Sequence, residues 1–202
     1  MPGGLFAFEG IDGCGKSTQS RLLTLELRRR GRPVLHLREP GGTAIGEAVR
    51  GLLLDPRRRE MTPWTEVFLF MASRAQLVSE KIRPARSAGV TVILDRYYYS
   101  TAAYQGAAGG VGVATVLALA EKVARFDKPD RVFVLDIDPD AAARRRRSPA
   151  DRIERKGLAY QRAVRRSFLS IAKRDRRLRV IDGDGDASDI HRTIVREVDR
   201  VL

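Results

Sequence analysis

One stretch near the start leaves the chain little choice of fold. Leu5 to Glu9 is a short apolar run that reads as a buried strand, and Lys16 to Arg30 reads as a helix closed by Gly31. Between them, Gly10-Ile11-Asp12-Gly13-Cys14-Gly15-Lys16-Ser17 fits G-x-x-x-x-G-K-[ST] without a gap. Glycines there let the backbone turn so that successive N–H groups point inward, where they bind phosphate oxygens. The helix beginning at Lys16 adds its positive N-terminal end. In such a loop the lysine, Lys16, reaches the β- and γ-phosphates and the hydroxyl of Ser17 binds Mg²⁺. Cys14 reads as a small loop filler, because no histidine lies near it in sequence and a thiolate would repel phosphate. GTPases, motor ATPases and small-molecule kinases share this loop, so it predicts a nucleoside triphosphate and leaves the acceptor open.

The rest of the chain alternates short apolar runs with longer amphipathic ones. Val34 to Arg38 predicts a strand stopped by Pro40-Gly41-Gly42, and Thr43 caps a helix reaching Leu54. A long helix is expected over Thr65 to Ala88, and a central strand over Val90 to Leu94, with Asp95 at its end. Helix Gly112 to Phe126, strand Arg131 to Asp136, a mostly helical Asp151 to Lys173, strand Val180-Ile181 and helix Ser188 to Val201 complete the order. Alternation of this kind predicts an α/β fold of the P-loop NTPase type, three-layered (α/β/α) around a five-stranded parallel sheet. With 202 residues and no linker or repeat, one domain over 1–202 is expected. Ligands in such sheets sit at the carboxyl ends of the strands. Asp12 to Lys16, Arg38, Asp95-Arg96 and the loop after Ile181 all fall there.

Composition bounds the setting. No apolar run approaches the roughly 20 residues that cross a bilayer, so no membrane partner is expected. The N-terminus lacks the basic and apolar regions of a secretory signal, and the single cysteine cannot form an internal disulfide, which together predict the cytoplasm. The net charge of +13 is concentrated: Arg144 to Arg179 holds 15 Lys+Arg and 3 Asp+Glu, a balance of +12. That block reads as a clamp for a polyanionic ligand, as a solvated arginine-rich helix, or as a nucleic-acid surface. His36 and His191 carry no motif and read as structural or surface residues.

FEGIDGCGKSTQ at 8–19, REPGGT at 38–43, FMASRAQL at 70–77, DRYYYSTAAYQG at 95–106 and DRIE at 151–154 resemble, in order and spacing, the motifs of the thymidylate kinase family. The resemblance runs over nearly the whole chain and implies phosphorylation of dTMP by ATP with Mg²⁺, in a homodimer. It implies ATP binding by Gly10, Asp12, Gly13, Cys14, Gly15, Lys16, Ser17 and Thr18, with Gly183-Asp184-Gly185 holding adenine. A monophosphate acceptor is already an anion. It needs no general base, but it needs cations beside a triphosphate that repels it. The resemblance places Arg38 and Arg96 at the acceptor phosphate, Arg96 bridging to the transferred group. Asp95 is similar to a Walker B acid that holds Mg²⁺ together with Ser17. Phe70 would stack on thymine, Arg74 would bond its edge and Thr101 would lie near its N3. Tyr104 would pack under the sugar, Asp12 would accept from the 3′-hydroxyl, and Gln105 completes the expected substrate set. An aromatic at helical spacing is ordinarily core, so Phe70 has both readings.

The stretch from about 143 to 155, ARRRRSPADRIER, resembles the family's lid. The phosphate loop has no arginine while the lid is dense in them, a style common in bacteria, and the resemblance to the family implies Arg145, Arg147 and Arg152 as the catalytic arginines. Such residues are worth ~10³–10⁵ in rate. The other readings are a kinase for dUMP or a modified monophosphate, and a regulatory P-loop ATPase that binds nucleic acid; specific nucleic-acid binding is not expected.

Overall fold

Strand β1 (Leu5–Glu9) is buried at every position and passes through the phosphate loop into α1 (Lys16–Arg29). A computed structural model of the chain describes residues 2–125, 127–145 and 151–202. After α1 come β2 (Val34–Arg38), α2 (Ala44–Leu54) and α3 (Pro63–Leu77), which runs through a π-helical turn (Val78–Ile82) into α4 (Arg83–Ser87). Next are β3 (Thr91–Asp95), α5 (Tyr98–Thr101) with its π-helical continuation (Ala102–Ala108), α6 (Val113–Ala124) and β4 (Arg131–Asp136). The chain finishes with α7 (Pro139–Arg145), a 3₁₀ turn (Glu154–Lys156), α8 (Gly157–Ala172), β5 (Leu178–Asp182) and α9 (Ala187–Asp199).

The strands form one parallel sheet in the order β2-β3-β1-β4-β5, the five-stranded α/β architecture that the alternation predicts. Strands covered on both faces read as continuous apolar runs, and β1, β3 and β4 do so, with Phe8 and Phe133 in ring contact at 5.3 Å. Helix α1 packs against α9, α8 against β4 and β5, and α3 against α2 and α6. Register decides what meets at the carboxyl edge. Arg38 pairs with Asp95, and Asp95 with Phe8, so the ends of β2, β3 and β1 lie level and bring Arg38, Asp95 and Glu9 together.

The differences from expectation have local causes. The helix expected from Thr65 begins at Pro63, because Thr62 caps it and proline suits the first turn. Its π-helical turn precedes Pro84, which has no N–H to donate and would crowd the carbonyl one turn back in a regular α-helix. Residues 98–108, anticipated only as a motif, are helical. The start of the expected lid, residues 143–145, is the last turn of α7, while 146–150 lie outside the described residues.

Candidate active site

Gly10 follows β1 at φ 134°, and a Cβ there would stand 2.6 Å from the Leu135 carbonyl oxygen, so only glycine lets the loop lie against β4. Gly15 is left-handed at φ 97° and hands the chain to α1. Lys16 is buried, and its Nζ donates to the Ile11 carbonyl at 2.7 Å, folding the ammonium back over the loop. The Ser17 hydroxyl donates to an Asp95 carboxylate oxygen, tying the first turn of α1 to the end of β3.

A cavity of about 320 Å³ opens beside the loop, with Lys16, Ser17, Arg38, Phe70, Asp95 and Arg96 in its wall. Arg96 sits at φ 72°, a left-handed conformation that costs a non-glycine residue of order 1–3 kcal/mol. Its guanidinium reaches the Gly10 carbonyl at 3.1 Å and the Ser100 hydroxyl at 2.9 Å, pairs with Asp12, and lies 5.1 Å from the Tyr104 ring centre. The Tyr104 hydroxyl donates to the other Asp12 oxygen at 2.9 Å. Burial pushes the Asp12 carboxyl up, but the charges of Arg96 and Lys16 and the bonds from Tyr104 and Arg96 outweigh it and hold the group at about 2. Asp12 is therefore an anion inside an anion-binding loop, neutralised by its partners.

Beneath this cluster Glu9 is fully buried, accepting from the backbone N–H groups of Tyr97 at 2.9 Å and Ser100 at 3.1 Å and from the Ser100 hydroxyl. Burial raises its carboxyl to about 7, against the opposing effects of Ser100 and Arg96. Glu9 thus fastens both sides of the turn that holds Arg96.

On the base side, Phe70 is half-buried and lines the cavity, with Thr101, Tyr104 and Gln105. Arg74 does not line it. It is 1% exposed, donates through Nε to Glu39 at 2.8 Å and through Nη2 to Glu39 and to Thr101 at 3.2 Å, and lies over the Tyr97 ring. Arg74 therefore stands behind Glu39 and Thr101, which present the cavity surface. Burial raises the Glu39 carboxyl, and Arg74 opposes that shift. Arg38 is exposed on the rim, 3.2 Å from Glu47. Arg50, from α2, joins it in the wall and donates to the Pro40 carbonyl at 3.0 Å.

The two expected lid arginines that are described, Arg145 and Arg152, do not converge. Arg145 donates to the Gly183 carbonyl at 2.8 Å and to the Asp184 carboxylate at 2.6 Å. It thereby lines a second cavity, about 390 Å³, with Gly13, Cys14, Thr18, Gly183 and Gly185 on the other side of the loop. Arg152 is buried, donating to the Leu53 carbonyl at 2.8 Å and to Glu66 at 2.7 Å, away from both of these cavities. Arg147 lies outside the described residues.

The family profile described as Thymidylate kinase matches residues 8–194. The chain belongs to the thymidylate kinase family. It is 44% identical over 198 residues to the thymidylate kinase of Symbiobacterium thermophilum, covering 97% of this chain and 92% of the relative. It is 43% identical over 204 residues to that of Caldanaerobacter subterraneus subsp. tengcongensis, covering 100% and 98%. The crystal structure of thymidylate kinase from Ehrlichia chaffeensis superposes with a TM-score of 0.81 at 28% identity, covering 98% of this chain and 100% of that one. Family membership makes the chain a nucleoside monophosphate kinase, a phosphotransferase that uses ATP.

In this kinase much of the basic block is matched internally. Arg162 pairs with Asp140, Arg165 with Asp136, Arg177 with Asp175 and Arg179 with Glu197. Motif and spacing assign no role to Glu9, Glu39, Arg50 or Glu66. An arginine inside the apolar run of α2 is the sequence signal for Arg50, whereas the glutamates within FEG and REPGGT stand at no spacing that marks them as buried.

Proposed function

We propose that the 320 Å³ cavity takes dTMP, that the 390 Å³ cavity takes the adenosine of ATP, and that the loop between them holds the phosphates. The observation that carries this reading is one wall shared by the phosphate-loop residues Lys16 and Ser17 and by three arginines, Arg38, Arg50 and Arg96, from other elements. Family membership makes the reaction the phosphorylation of dTMP to dTDP. An acceptor phosphate oxygen attacks the γ-phosphorus of ATP, and the bond to the β–γ bridging oxygen breaks with its electron pair leaving on ADP. Lys16 exchanges the Ile11 carbonyl for phosphate oxygens, Arg96 spans acceptor and transferred group, and Asp12 accepts from the sugar 3′-hydroxyl. Phe70 stacks on the base, and Arg74 acts on it by holding Glu39 and Thr101.

The donor set fits Mg²⁺: Ser17 and Asp95 offer a hydroxyl and a carboxylate in mutual contact, hard oxygens of the kind this ion takes. Among the described residues no group of three or more His, Cys, Asp or Glu side chains could hold a metal ion, so these two would share it with phosphate oxygens and water. When bound there, Mg²⁺ would supply positive charge to offset that of the phosphates. No helix among the described residues is long and apolar enough to cross a membrane, and we place the enzyme in the cytoplasm, where its lone buried thiol, Cys14, stays reduced.

A homodimer is supported by exposed apolar stripes on neighbouring helices: Ile45 and Leu52 on α2, and Trp64 and Phe68 on α3, the last two stacked at 5.7 Å. ADP release with ATP and Mg²⁺ against dTMP, dUMP, UMP, dCMP, CMP, dGMP and dAMP tests the substrate reading; dTMP is expected to be strongly preferred. Lys16→Ala is expected to lower kcat by roughly 10²–10³ with the fold intact. Normal turnover in that variant overturns the loop's role.

A further inference from the structure

Glu66 lies on α3 one helical turn before Phe70, outside every motif quoted above. Its carboxylate is 1% exposed, and three donors from two parts of the chain meet on it: Gln105 Nε2 at 2.7 Å, Arg152 Nη1 at 2.7 Å and Lys156 Nζ at 2.9 Å. Arg152 is itself fixed, its Nε on the Leu53 carbonyl and its backbone N–H on the Leu54 carbonyl. A buried carboxylate with two cationic partners is an ion under firm orientation.

The consequence falls on Gln105. A carboxamide is nearly symmetric in shape, and its two ends differ only in hydrogen bonding, one a donor and the other an acceptor. A carboxylate accepts only, so Glu66 takes the nitrogen end. Among the described residues the buried amide oxygen has no partner, and it belongs to a side chain that lines the cavity read as the acceptor site. We propose that Glu66 is a positioning residue for acceptor selection: held by Arg152 and Lys156, it fixes the Gln105 amide with its oxygen as the free end. That polarity favours a pyrimidine with a ring N–H donor, as in thymine and uracil, over one with a ring acceptor at the same place, as in cytosine. The inference rests on the assignment of this cavity to the acceptor.

The test is steady-state kinetics of the full chain with dTMP and with dCMP. Glu66→Gln keeps the size but replaces an obligate acceptor by an amide that pairs either way round. Its kcat/KM for dTMP is expected to fall roughly tenfold, mainly through KM, and its preference for dTMP over dCMP to fall by a similar factor. The KM for ATP should stay within about twofold, which a general loss of structure would not spare. Glu66→Asp, which keeps the charge, should recover part of the preference. In a Gln105→Ala background, Glu66→Gln should change the preference no further, since the two act through one contact. If Glu66→Gln does not fold, Lys156→Met removes one orienting cation and should shift the preference in the same direction by a smaller factor. A folded Glu66→Gln or Lys156→Met enzyme with unchanged preference, where Gln105→Ala has lost it, overturns the role of Glu66. Unchanged preference in Gln105→Ala removes the acceptor assignment of the cavity instead.

Discussion

Glu9 and Asp12 flank the start of the phosphate loop, yet their surroundings move them in opposite directions. Asp12 has Arg96, Lys16 and Tyr104 to outweigh its burial and is held at about 2. Glu9 has mostly backbone and hydroxyl donors, so burial wins and lifts it to about 7 from 4.5. A carboxyl raised by folding favours the folded state in its protonated form. Its contribution is complete below the unfolded value and is lost as pH rises through the folded one. Glu9→Gln removes this dependence. As pH is lowered from about 8 to about 4.5, the stability of the native chain relative to that variant is expected to grow by about 3 kcal/mol. Urea denaturation of both proteins across that range measures the difference, and parallel curves would show that Glu9 is ionised throughout. The shift of Asp12 has the opposite sign: its stabilisation is present above its unfolded value of 3.8 and is lost only as pH falls toward about 2, below this window.

Among the elements, α3 carries the most function for its length. Glu66, Phe70 and Arg74 follow one another at successive turns and serve respectively Gln105, the cavity wall and Glu39. The start of the helix sets their height along the cavity. Thr62 caps it, accepting from the Thr65 N–H at 3.2 Å, with Pro63 in the first turn. Thr62→Ala is expected to lower stability by about 1 kcal/mol and to leave kcat for dTMP unchanged, because tertiary packing of Val67, Met71 and Leu77 keeps the helix in place. Denaturation and turnover on the same preparation check both halves. The π-helical turns after α3 and after α5 had no periodic signal of their own, since segments of 5 and 7 residues are shorter than the window in which a helical period can be read.

At the scale of the whole molecule, charge and apolar surface point to different partners. The net charge of +13 is concentrated between Arg144 and Arg179, where several arginines on α8 and β5 already have carboxylate partners. Four exposed large apolar residues, by contrast, lie together on α2 and α3, where Phe68 is 58% and Trp64 46% exposed. A second copy of the chain would cover them. Sedimentation equilibrium at micromolar concentration is expected to give a dimer, and Phe68→Glu a monomer, because a charge buried at the centre of an apolar interface costs several kcal/mol. A wild-type monomer at that concentration would remove the dimer reading.

The sequence by itself determined the phosphate loop, the strand–helix alternation and the parallel sheet. These rest on local spacing: a glycine pattern between a strand and a helix, and apolar periods of one element at a time. Only the tertiary structure decided which charges meet. Four arginines in a row look alike along the chain, yet Arg145 ends on Asp184, while Arg152, further on, ends on Glu66. Arg74, read as a base contact, is paired behind the wall with Glu39 from a loop 35 residues away in sequence. Glu9 matters because β3 and the turn after it deliver Tyr97 and Ser100 onto it. A buried ion takes whichever opposite charge the fold brings within hydrogen-bonding reach, and residue order alone does not specify that distance.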